Sequence, residues 1–286
     1  MNTSADNKKK IIDIEELIRS KNSRLAKVLP RFIIRYLKRV LHQDELNAAI
    51  ERNKDLWGID FVREVLKEFS VNIVVKDIEN LPVEDRICVI SNHPLGGLDG
   101  MVLIQVVANV RKPIRFPVND LLMSVPNLRE LFIPINKHGS NTENAVIFDN
   151  AFASDETILY FPAGLCSRKI KGTIQDLEWK KTVLSKAKKH KRDIVPVHID
   201  GQNSNFFYHL SNRRRFLGIK SNIEMLYLVD EMYNQRNKKI TITFGKPIPY
   251  GVFDKRHTDM EWISLLRKHV YNLKEKNVTF DPNQTI

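Results

Sequence analysis

The stretch ICVISNHPLGGLDGMVLIQVVANV, residues 87–110, holds the pattern that decides the fold. Its first four residues form an apolar run typical of a buried strand, and its second half predicts an apolar helix over residues 100–110. Between them lies a turn that contains His93, a pair of glycines and Asp99. Because open α/β sheets place ligands just beyond the ends of their strands, this turn is a predicted ligand site.

A histidine and a carboxylate in one turn are suited to proton transfer. A neutral imidazole is a good general base near neutral pH, and a carboxylate can hold it in the useful tautomer. The glycines let a substrate approach the backbone closely. Two plainer interpretations compete: Asp99 only caps the following helix, and His93 is a turn residue with its hydrogen bonds satisfied. The glycines and the neighbouring carboxylate favour the catalytic interpretation of His93 and Asp99.

Outward from this stretch, short β-branched runs alternate with helical segments. The alternation predicts an α/β fold with parallel strand pairs, preceded by a helical N-terminal region over residues 1–70 and followed through residues 71–286 as one domain. The predicted strands cover residues 71–75, 87–90, 114–118, 132–135, 157–161, 194–199 and 240–244. The predicted helices of this domain cover residues 100–110, 120–131, 142–153, 177–190 and 259–276.

The composition is that of an ordinary globular protein. Apolar residues make up 42% of the 286 residues and charged residues 28%, which excludes wholesale disorder. Cys88 and Cys166 stand in no metal-ligand spacing, so we expect a reducing compartment and no disulfide scaffold. The sequence contains no recognised metal, P-loop or dinucleotide motif, and no cofactor is expected. With no signal-peptide pattern and no apolar run of about 18 residues, the chain should be soluble or peripheral.

The positive charge is concentrated near the N-terminus. The chain has 46 Lys+Arg against 34 Asp+Glu, a formal net charge of +12, which suits an anionic partner. Residues 21–41 contain seven basic residues, no acidic residue and an apolar stripe at helical spacing that Pro30 interrupts. Two interpretations of this segment weigh equally: it binds an anionic membrane surface, or it packs its stripe on the core. A nucleic-acid contact is disfavoured because no binding motif is recognisable.

Four blocks of the sequence stand in an informative order. They are Asn92-His93 with Asp99, residues 115–134 beginning RFPVN, residues 161–168 reading FPAGLCSR, and residues 194–197 reading IVPV. In this order they resemble the lysophospholipid acyltransferases, the family of glycerolipid and lysophosphatidic acid acyltransferases, over about residues 73–250. The resemblance implies a central mixed, largely parallel sheet flanked by helices, with an N-terminal helical segment that associates with membranes.

The resemblance is closer to a bacterial subgroup often labelled hemolysin-like, which includes ornithine- and glycine-lipid O-acyltransferases. The chain departs from the main family in three places: five residues separate His93 from Asp99 where the family has four, Ala163 replaces a glutamate, and Cys166 replaces an arginine. In the main family that glutamate and arginine help to hold the glycerol-phosphate acceptor. Their replacement favours an acceptor with another head group, such as a lyso-aminolipid.

The activity that the resemblance implies is O-acyl transfer from a thioester, carried by acyl carrier protein or coenzyme A, to a lyso-lipid hydroxyl. A lyso-ornithine or lyso-glycine lipid is the expected acceptor, and a 1-acylglycerol-3-phosphate acyltransferase is the second possibility. A non-catalytic lipid- or acyl-carrier-binding protein is the alternative from another class. The expected location is the cytoplasmic face of the cell membrane, bound peripherally at an anionic surface.

The resemblance also assigns roles to residues. His93 would take the hydroxyl proton and Asp99 would orient the imidazole. Arginines near the blocks would contact an anionic group, although plain surface charge is an equal alternative for each. Cys166 is not expected to act as a nucleophile, since no base is assigned to it. The expected substrate contacts are Asn92, Gly96, Gly97, Arg115, Asn119, Arg129, Pro162, Gly164, Ser167 and Arg168.

Overall fold

The fold is built on one central sheet. A computed structural model describes residues 11–21, 23–118, 122–135, 142–275 and 278–284. Short strands that are rich in β-branched residues form the sheet, as the sequence predicts. They are β1 (Asn72–Lys76), β2 (Ile87–Ser91), β3 (Ile114–Val118), β4 (Phe132–Pro134), β5 (Thr157–Tyr160), β8 (Asp193–Asp200) and β9 (Lys239–Phe244). The strands β6 (Arg168–Ile170) and β7 (Thr173–Gln175) form a separate antiparallel hairpin.

The strand order across the described sheet is β1-β9-β8-β2-β5-β3-β4. Strands β8 and β9 pair antiparallel, and the other neighbouring pairs are parallel. The prediction of a mixed, largely parallel sheet is therefore confirmed. Strand β2 lies in the middle of the sheet, with β8 on one side and β5 on the other. Its carboxyl end therefore lies at the centre of the side of the sheet where the parallel strands end.

Helices cover both faces of the sheet. Alternate residues of each strand face opposite sides, so the core divides into two layers. Val89 belongs to the layer that α5 and α6 cover, and Cys88 belongs to the layer beneath α7, α8 and α11. The helices of the described chain are α1 (Ile14–Lys21), α2 (Ser23–Val28), α3 (Arg31–Val40), α4 (Gln43–Arg52), α5 (Gly58–Phe69), α6 (Gly97–Ala108), α7 (Thr142–Ala153), α8 (Thr182–Lys189), α9 (Asn205–Phe216), α10 (Leu228–Tyr233) and α11 (Asp259–Asn272).

The N-terminal region is helical, as predicted, and α5 contributes Phe61, Val62 and Leu66 to the core beneath α6. The apolar stripe of α3 is divided between two environments. Val40 is buried, and α3 packs against α1, α4 and the turn at Ile223–Tyr227. Phe32 points outward with 65% of its surface exposed. The division of the chain at residue 70 stays a prediction.

One expectation about secondary structure is wrong, and some elements are missed. The helix expected over residues 120–131 is replaced by two short 3-10 segments, Leu122–Ser124 and Pro126–Leu131. Pro126 separates them, because proline has no N–H to continue a helix and disfavours a helical residue before it. The hairpin β6–β7 and the helices α9 and α10 are not predicted from the sequence. Within the described residues, no helix has the length and apolar character needed to span a bilayer.

Candidate functional site

The carboxyl end of β2 brings His93 and Asp99 together. His93 Nδ1 lies 2.9 Å from Asp99 Oδ2. Asp99 is the third residue of α6 and is fully buried, whereas the imidazole keeps 16% of its surface exposed. Both predicted catalytic side chains therefore meet in a hydrogen-bonded pair that is open on the histidine side. Asp99 also accepts the backbone N–H of Gly96. It therefore caps the start of α6 and pairs with His93 at the same time.

The turn between the two residues accommodates the longer spacing. Gly96 adopts φ 77° and ψ −127°, a conformation that is open to glycine and strained for other residues. This bend directs the N–H groups of Leu95 and Gly96 at Asp99 Oδ2, at 2.7 and 3.1 Å. With five residues between His93 and Asp99, the carboxylate still reaches the imidazole, so the extra residue does not separate the pair.

The position of the Asp99 carboxyl group disfavours its ionised form. Burial raises the pKa of Asp99, and the hydrogen bond from His93 partly opposes that rise. Its Oδ1 atom is buried and makes no hydrogen bond with any described residue. Native proteins pair nearly all such atoms, so a buried carboxylate oxygen without a partner needs an explanation. An unpaired carboxylate oxygen beside a partly exposed imidazole is suited to stabilising an imidazolium when a proton arrives.

An aromatic wall fixes the imidazole from its flat side. The ring of Phe161, which directly follows β5, stacks on His93 with centroids 4.1 Å apart and an interplanar angle of 20°. Phe116 on β3 supports Phe161 edge-on at 5.1 Å. Stacking and the Asp99 hydrogen bond together restrict the ring to one orientation. The sequence contains Phe161 in its third block but gives no sign that this ring covers His93.

A buried carboxylate, Asp176, holds the backbone of the same histidine. Asp176 Oδ1 accepts the backbone N–H of His93 at 3.1 Å and the hydroxyl of Ser167 at 2.6 Å, and Oδ2 accepts the indole N–H of Trp179 at 2.8 Å. Ser167 in turn donates its N–H to the carbonyl of His93 at 2.7 Å. Ser167 is therefore brought to the site, where it locks the loop after β5 onto the His93 turn.

The glycines and proline of the predicted site lie at its rim. Gly97 is exposed at the start of α6, and a Cβ added there would meet nothing within 4 Å. Pro162 is buried in the loop after Phe161, where its carbonyl accepts the N–H of Lys180. Gly164 is exposed in the same loop with φ 64°. Of these three, Gly97 leaves the most open backbone beside His93.

Other predicted contacts have their polar atoms engaged by the protein. The Asn92 side chain is buried and bonds both backbone groups of Ile199, which joins β2 to β8. Arg168 is buried beside Glu224, with the two charged groups 2.9 Å apart. Since these polar groups already have partners, the structure gives Asn92 and Arg168 positions within the fold rather than on an open surface.

The structure does not bring Arg115 to the site. The register aligns Arg115 with Ile158 and Ile158 with Cys88, which is five residues before His93 along the sheet. At about 3.3 Å per residue that is roughly 16 Å of strand, and Glu156 pairs with the guanidinium at 2.8 Å. Arg129 is exposed in the 3-10 segment before β4 and donates to the carbonyl of Met123. Asn119 lies outside the described residues.

The remaining reactive groups near the site do not form a second centre. Burial raises the pKa of the Cys166 thiol to about 11, so the thiol is protonated near neutral pH and is a poor nucleophile. Within the described ranges, no group of three or more His, Cys, Asp or Glu side chains is arranged to hold a metal ion. The hydrogen-bonded pair of His93 and Asp99 is chemically suited to proton transfer.

Sequence comparisons with known proteins indicate one family. A family model described as acyltransferase matches residues 16–279. A lyso-glycine lipid O-acyltransferase of Bacteroides thetaiotaomicron is 45% identical over 265 residues, which cover 92% of this chain and 97% of that protein. A protein of the same name from Phocaeicola vulgatus is also 45% identical, with 92% and 95% covered. A crystal structure of the 1-acyl-sn-glycerophosphate acyltransferase PlsC from Thermotoga maritima has 18% identity and a TM-score of 0.48, covering 92% and 97% of the two chains.

Proposed function

The chain belongs to the acyltransferase family and is an acyltransferase enzyme, and from that premise we propose that it acylates the hydroxyl of a lyso-aminolipid, with lyso-glycine lipid first and lyso-ornithine lipid second. The observation that carries the mechanism is the hydrogen bond of 2.9 Å between His93 Nδ1 and Asp99 Oδ2. It leaves the second ring nitrogen, Nε2, for the hydroxyl of the acceptor.

The reaction proceeds as general-base catalysis. The acceptor hydroxyl gives its proton to His93 Nε2 while its oxygen bonds to the carbonyl carbon of an acyl thioester. Asp99 stabilises the imidazolium, and the carbonyl oxygen becomes an oxyanion. When the carbon–sulfur bond breaks, the imidazolium returns the proton to the departing thiolate, which leaves an ester and a free thiol. No acyl-enzyme is needed because the acceptor itself is the nucleophile.

The start of α6 is the proposed oxyanion site. The first N–H groups of a helix have no partner within it, and the positive end of the helix dipole favours a negative charge there. Gly97 is the first residue of α6 and leaves open space around its backbone. A thioester from acyl carrier protein or coenzyme A would place its carbonyl oxygen here. Both donors present the same thioester, so the donor is tested with each.

Two replaced residues support an acceptor without a phosphate. Ala163 is buried and apolar where the main family has a glutamate, and the buried Cys166 stands where the main family has an arginine. The nearby Arg168 does not restore that charge, because it pairs with Glu224 at 2.9 Å within the protein. Neither position presents a free charge to a glycerol phosphate. The 1-acylglycerol-3-phosphate acyltransferase is retained as the second candidate, since its acceptor also presents a hydroxyl to a histidine base.

A panel assay tests the proposal. Purified protein is incubated with acyl-coenzyme A or acyl-carrier-protein thioesters and with lyso-glycine lipid, lyso-ornithine lipid or lysophosphatidic acid, and products are measured by mass spectrometry. The expected products come from the lyso-aminolipids. His93→Ala should lose about 10²–10⁴-fold in rate because the general base is gone, and His257→Ala, a histidine far along the chain that bonds the carbonyl of Pro282, should not.

The outcomes separate the alternatives. Product only from lysophosphatidic acid would favour the phospholipid enzyme. No product from any acceptor, together with retained lipid binding, would favour a non-catalytic binding protein. Near-wild-type turnover by His93→Ala would overturn the general-base mechanism.

The same proposal places the protein peripherally on the cytoplasmic face of the cell membrane, with α3 against anionic lipid. Arg31, Arg35 and Arg39 are exposed on this helix beside Phe32. Replacing the three arginines with glutamine should weaken binding to phosphatidylglycerol-containing vesicles at low salt, because basic residues near such a surface each add attraction. Unchanged binding of the triple variant would show that the charge of α3 has another use.

A further inference from the structure

Helix α9 exposes large apolar side chains on the side that faces away from the protein. Phe216 is 91% exposed, Leu217 69% and Phe206 53%. At 100° per residue, positions 206, 213, 216 and 217 fall on one side of the helix, and the opposite side carries the buried residues 207, 208, 211 and 214. Soluble surfaces do carry single exposed apolar residues, but a grouped set of this kind marks an interaction site.

The charge around these apolar residues has one sign. Arg213, Arg215 and Lys220 are exposed next to Phe216 and Leu217. Residues 201–223 contain no aspartate or glutamate. The first acidic residue after them, Glu224, is buried and accepts from Arg214 at 2.7 Å, so it does not offset the outer positive charge. The surface is therefore both apolar and basic, which is the combination that suits an anionic lipid bilayer.

The segment is held firmly in this outward position. Glu224 binds both Arg168, at 2.9 Å, and Arg214, and Arg214 also donates to the carbonyl of Ile219 at 2.9 Å. Phe207 and Tyr208 pack on Cys166 beneath the helix. Because these buried contacts fix α9 and the chain that follows it, the exposure of Phe216 and Leu217 is a property of the fold.

The surface continues onto α3 in one direction. The hydroxyls of Tyr36 on α3 and Tyr227 lie 2.6 Å apart, and Phe206 contacts the ring of Tyr227 with centroids at 4.9 Å. The exposed Phe32 and the arginines of α3 thus lie on an element that touches the base of α9. Tyr227 thus links α3 to the amino end of α9.

The amino end of α9 also lies beside the His93 turn. Asn203, two residues before α9, donates its amide to the carbonyl of Pro94 at 3.2 Å. Gly201 lies against Leu95, so closely that an added Cβ would come within 2.8 Å of the leucine side chain. The helix that carries the exposed apolar side chains is therefore joined at its amino end to the turn that carries the predicted base.

We propose that the outer face of α9 and the chain through Lys220 form a second membrane-docking element, whose occupant is an anionic lipid bilayer. Phe216 and Leu217 enter the boundary between head groups and acyl chains, while Arg213 and Lys220 contact lipid phosphates. This proposal rests on the proposed function in one respect, because the lyso-lipid acceptor would then reach His93 directly from the membrane. An acidic acyl carrier would find the basic residues suitable, but it would not account for the exposed Phe216 and Leu217.

Vesicle sedimentation of the full chain tests the proposal. Wild-type protein should bind vesicles of phosphatidylcholine with phosphatidylglycerol, and binding should weaken at high salt. The double variant Phe216→Ser with Leu217→Ser should bind about tenfold or more weakly, since two large apolar side chains no longer enter the lipid. Arg213→Gln with Lys220→Gln should lose much of the salt dependence and of the preference over phosphatidylcholine alone.

A matched control uses another exposed apolar pair. Val146 and Ile147 on α7 are 56% and 41% exposed. They lie on a helix of the opposite core layer from α6, so Val146→Ser with Ile147→Ser should bind vesicles as the wild type does. Unchanged vesicle binding by the Phe216 and Leu217 variant, or no binding by the wild type, would overturn the proposal. Loss confined to an acyl-carrier-protein column would overturn it too, by assigning the surface to a protein partner.

Failure of docking and failure of the proposed chemistry give different results. With a detergent-dispersed lyso-lipid and a soluble thioester, the Phe216 and Leu217 variant should keep wild-type turnover. His93→Ala should bind vesicles normally and yield no product. An active enzyme with unimpaired docking variants would refute only the docking element, whereas a vesicle-binding protein without turnover on any acceptor would refute only the proposed function.

Discussion

Buried charged side chains are used differently at the two ends of the parallel strands. The amino edge is the side of the sheet where these strands begin, and the carboxyl edge is the side where they end. At the amino edge, Arg192 is fully buried and donates to the backbone carbonyls of Ile87, Phe152 and Glu156 at 2.7–3.0 Å. At the carboxyl edge, Asp99 is equally buried, but its Oδ1 makes no hydrogen bond with any described residue, and Oδ2 is bonded to the Nδ1 atom of His93. The buried charge of Arg192 thus satisfies the backbone, whereas the buried charge of Asp99 faces a partly exposed imidazole.

This difference explains why a basic residue near a family block is a poor guide to substrate binding. Arg115 and Arg192 lie toward the amino edge and pair with a carboxylate or with carbonyls. A strand register, which the local sequence does not reveal, decides the edge at which a side chain emerges. The comparison therefore predicts that stability and activity depend on different edges.

The largest effect on stability is expected from Arg192→Met. Removing the guanidinium leaves several buried carbonyls without a donor, and each such group costs about 1–3 kcal/mol. The free energy of unfolding in urea should fall by about 3 kcal/mol or more, while turnover per folded molecule stays close to wild type.

Arg86→Met is the matched control, because the partly exposed Arg86 donates to the same segment, at the carbonyls of Ala153 and Ser154. Water can replace this side chain, so the loss should be about 1 kcal/mol or less. A large fall in turnover by Arg192→Met at unchanged stability would contradict the prediction that the amino edge determines stability and the carboxyl edge determines activity.

The converse effect is expected from Asp99→Asn. Turnover should fall by at least about 10²-fold, because a neutral amide cannot stabilise the imidazolium. The free energy of unfolding should stay within about 1 kcal/mol of wild type or rise. Burial raises the pKa of Asp99, so the folded state binds its proton more tightly than the unfolded state does. Ionisation of Asp99 therefore lowers stability as pH rises from the unfolded pKa through the folded one, and the amide removes that loss.

Asp176→Asn is the matched substitution at a satisfied carboxylate. Both oxygens of Asp176 accept hydrogen bonds, and an amide would set an N–H donor against the donor of Ser167 or of Trp179. The free energy of unfolding should fall by about 1–3 kcal/mol. If Asp99→Asn destabilised the fold as much as Asp176→Asn, Asp99 would be a structural carboxylate like its neighbour.

The parts of the fold that the sequence predicts are those with local signals. The β-branched runs locate β1, β2, β3, β5, β8 and β9, and the His93 turn locates the hydrogen-bonded pair of His93 and Asp99 because its members are close in sequence. Asp176 meets the backbone of His93 across 83 positions, and Phe161 meets its ring across 68 positions. Such contacts follow from strand order, which no short stretch contains.

Helix α9 shows a second reason for failure. Helix prediction relies on an apolar face turned to the core, but α9 places Arg214 and Ser211 inside and Phe216 outside. Polar residues can occupy the buried face because they have partners there, as Arg214 has in Glu224. Their presence on that face weakens the apolar periodicity of the sequence. The sequence signal that could have marked this segment is its lack of acidic residues beside grouped aromatic and basic ones.

The smallest effects on stability and activity are expected at Gly96 and Gly97, the two adjacent glycines of the carboxyl edge. They also give the sharpest test of that edge. Gly96→Ala places a side chain at φ 77°, with its Cβ 3.2 Å from Leu228. Such a conformation costs about 1–3 kcal/mol in non-glycine residues, so stability should fall by that amount and the N–H bonds to Asp99 should weaken.

Gly97→Ala should behave differently, because an added Cβ there meets nothing within 4 Å and alanine favours a helix. Its stability should be unchanged or slightly higher, while kcat/KM should fall by about tenfold because the methyl group occupies space that the thioester needs. Gly251→Ala, also with nothing within 4 Å, is the control that should alter neither quantity. A stable and fully active Gly97→Ala enzyme would rule out the start of α6 as the oxyanion site. The loss of kcat/KM is expected only if the substrate approaches the backbone at Gly97.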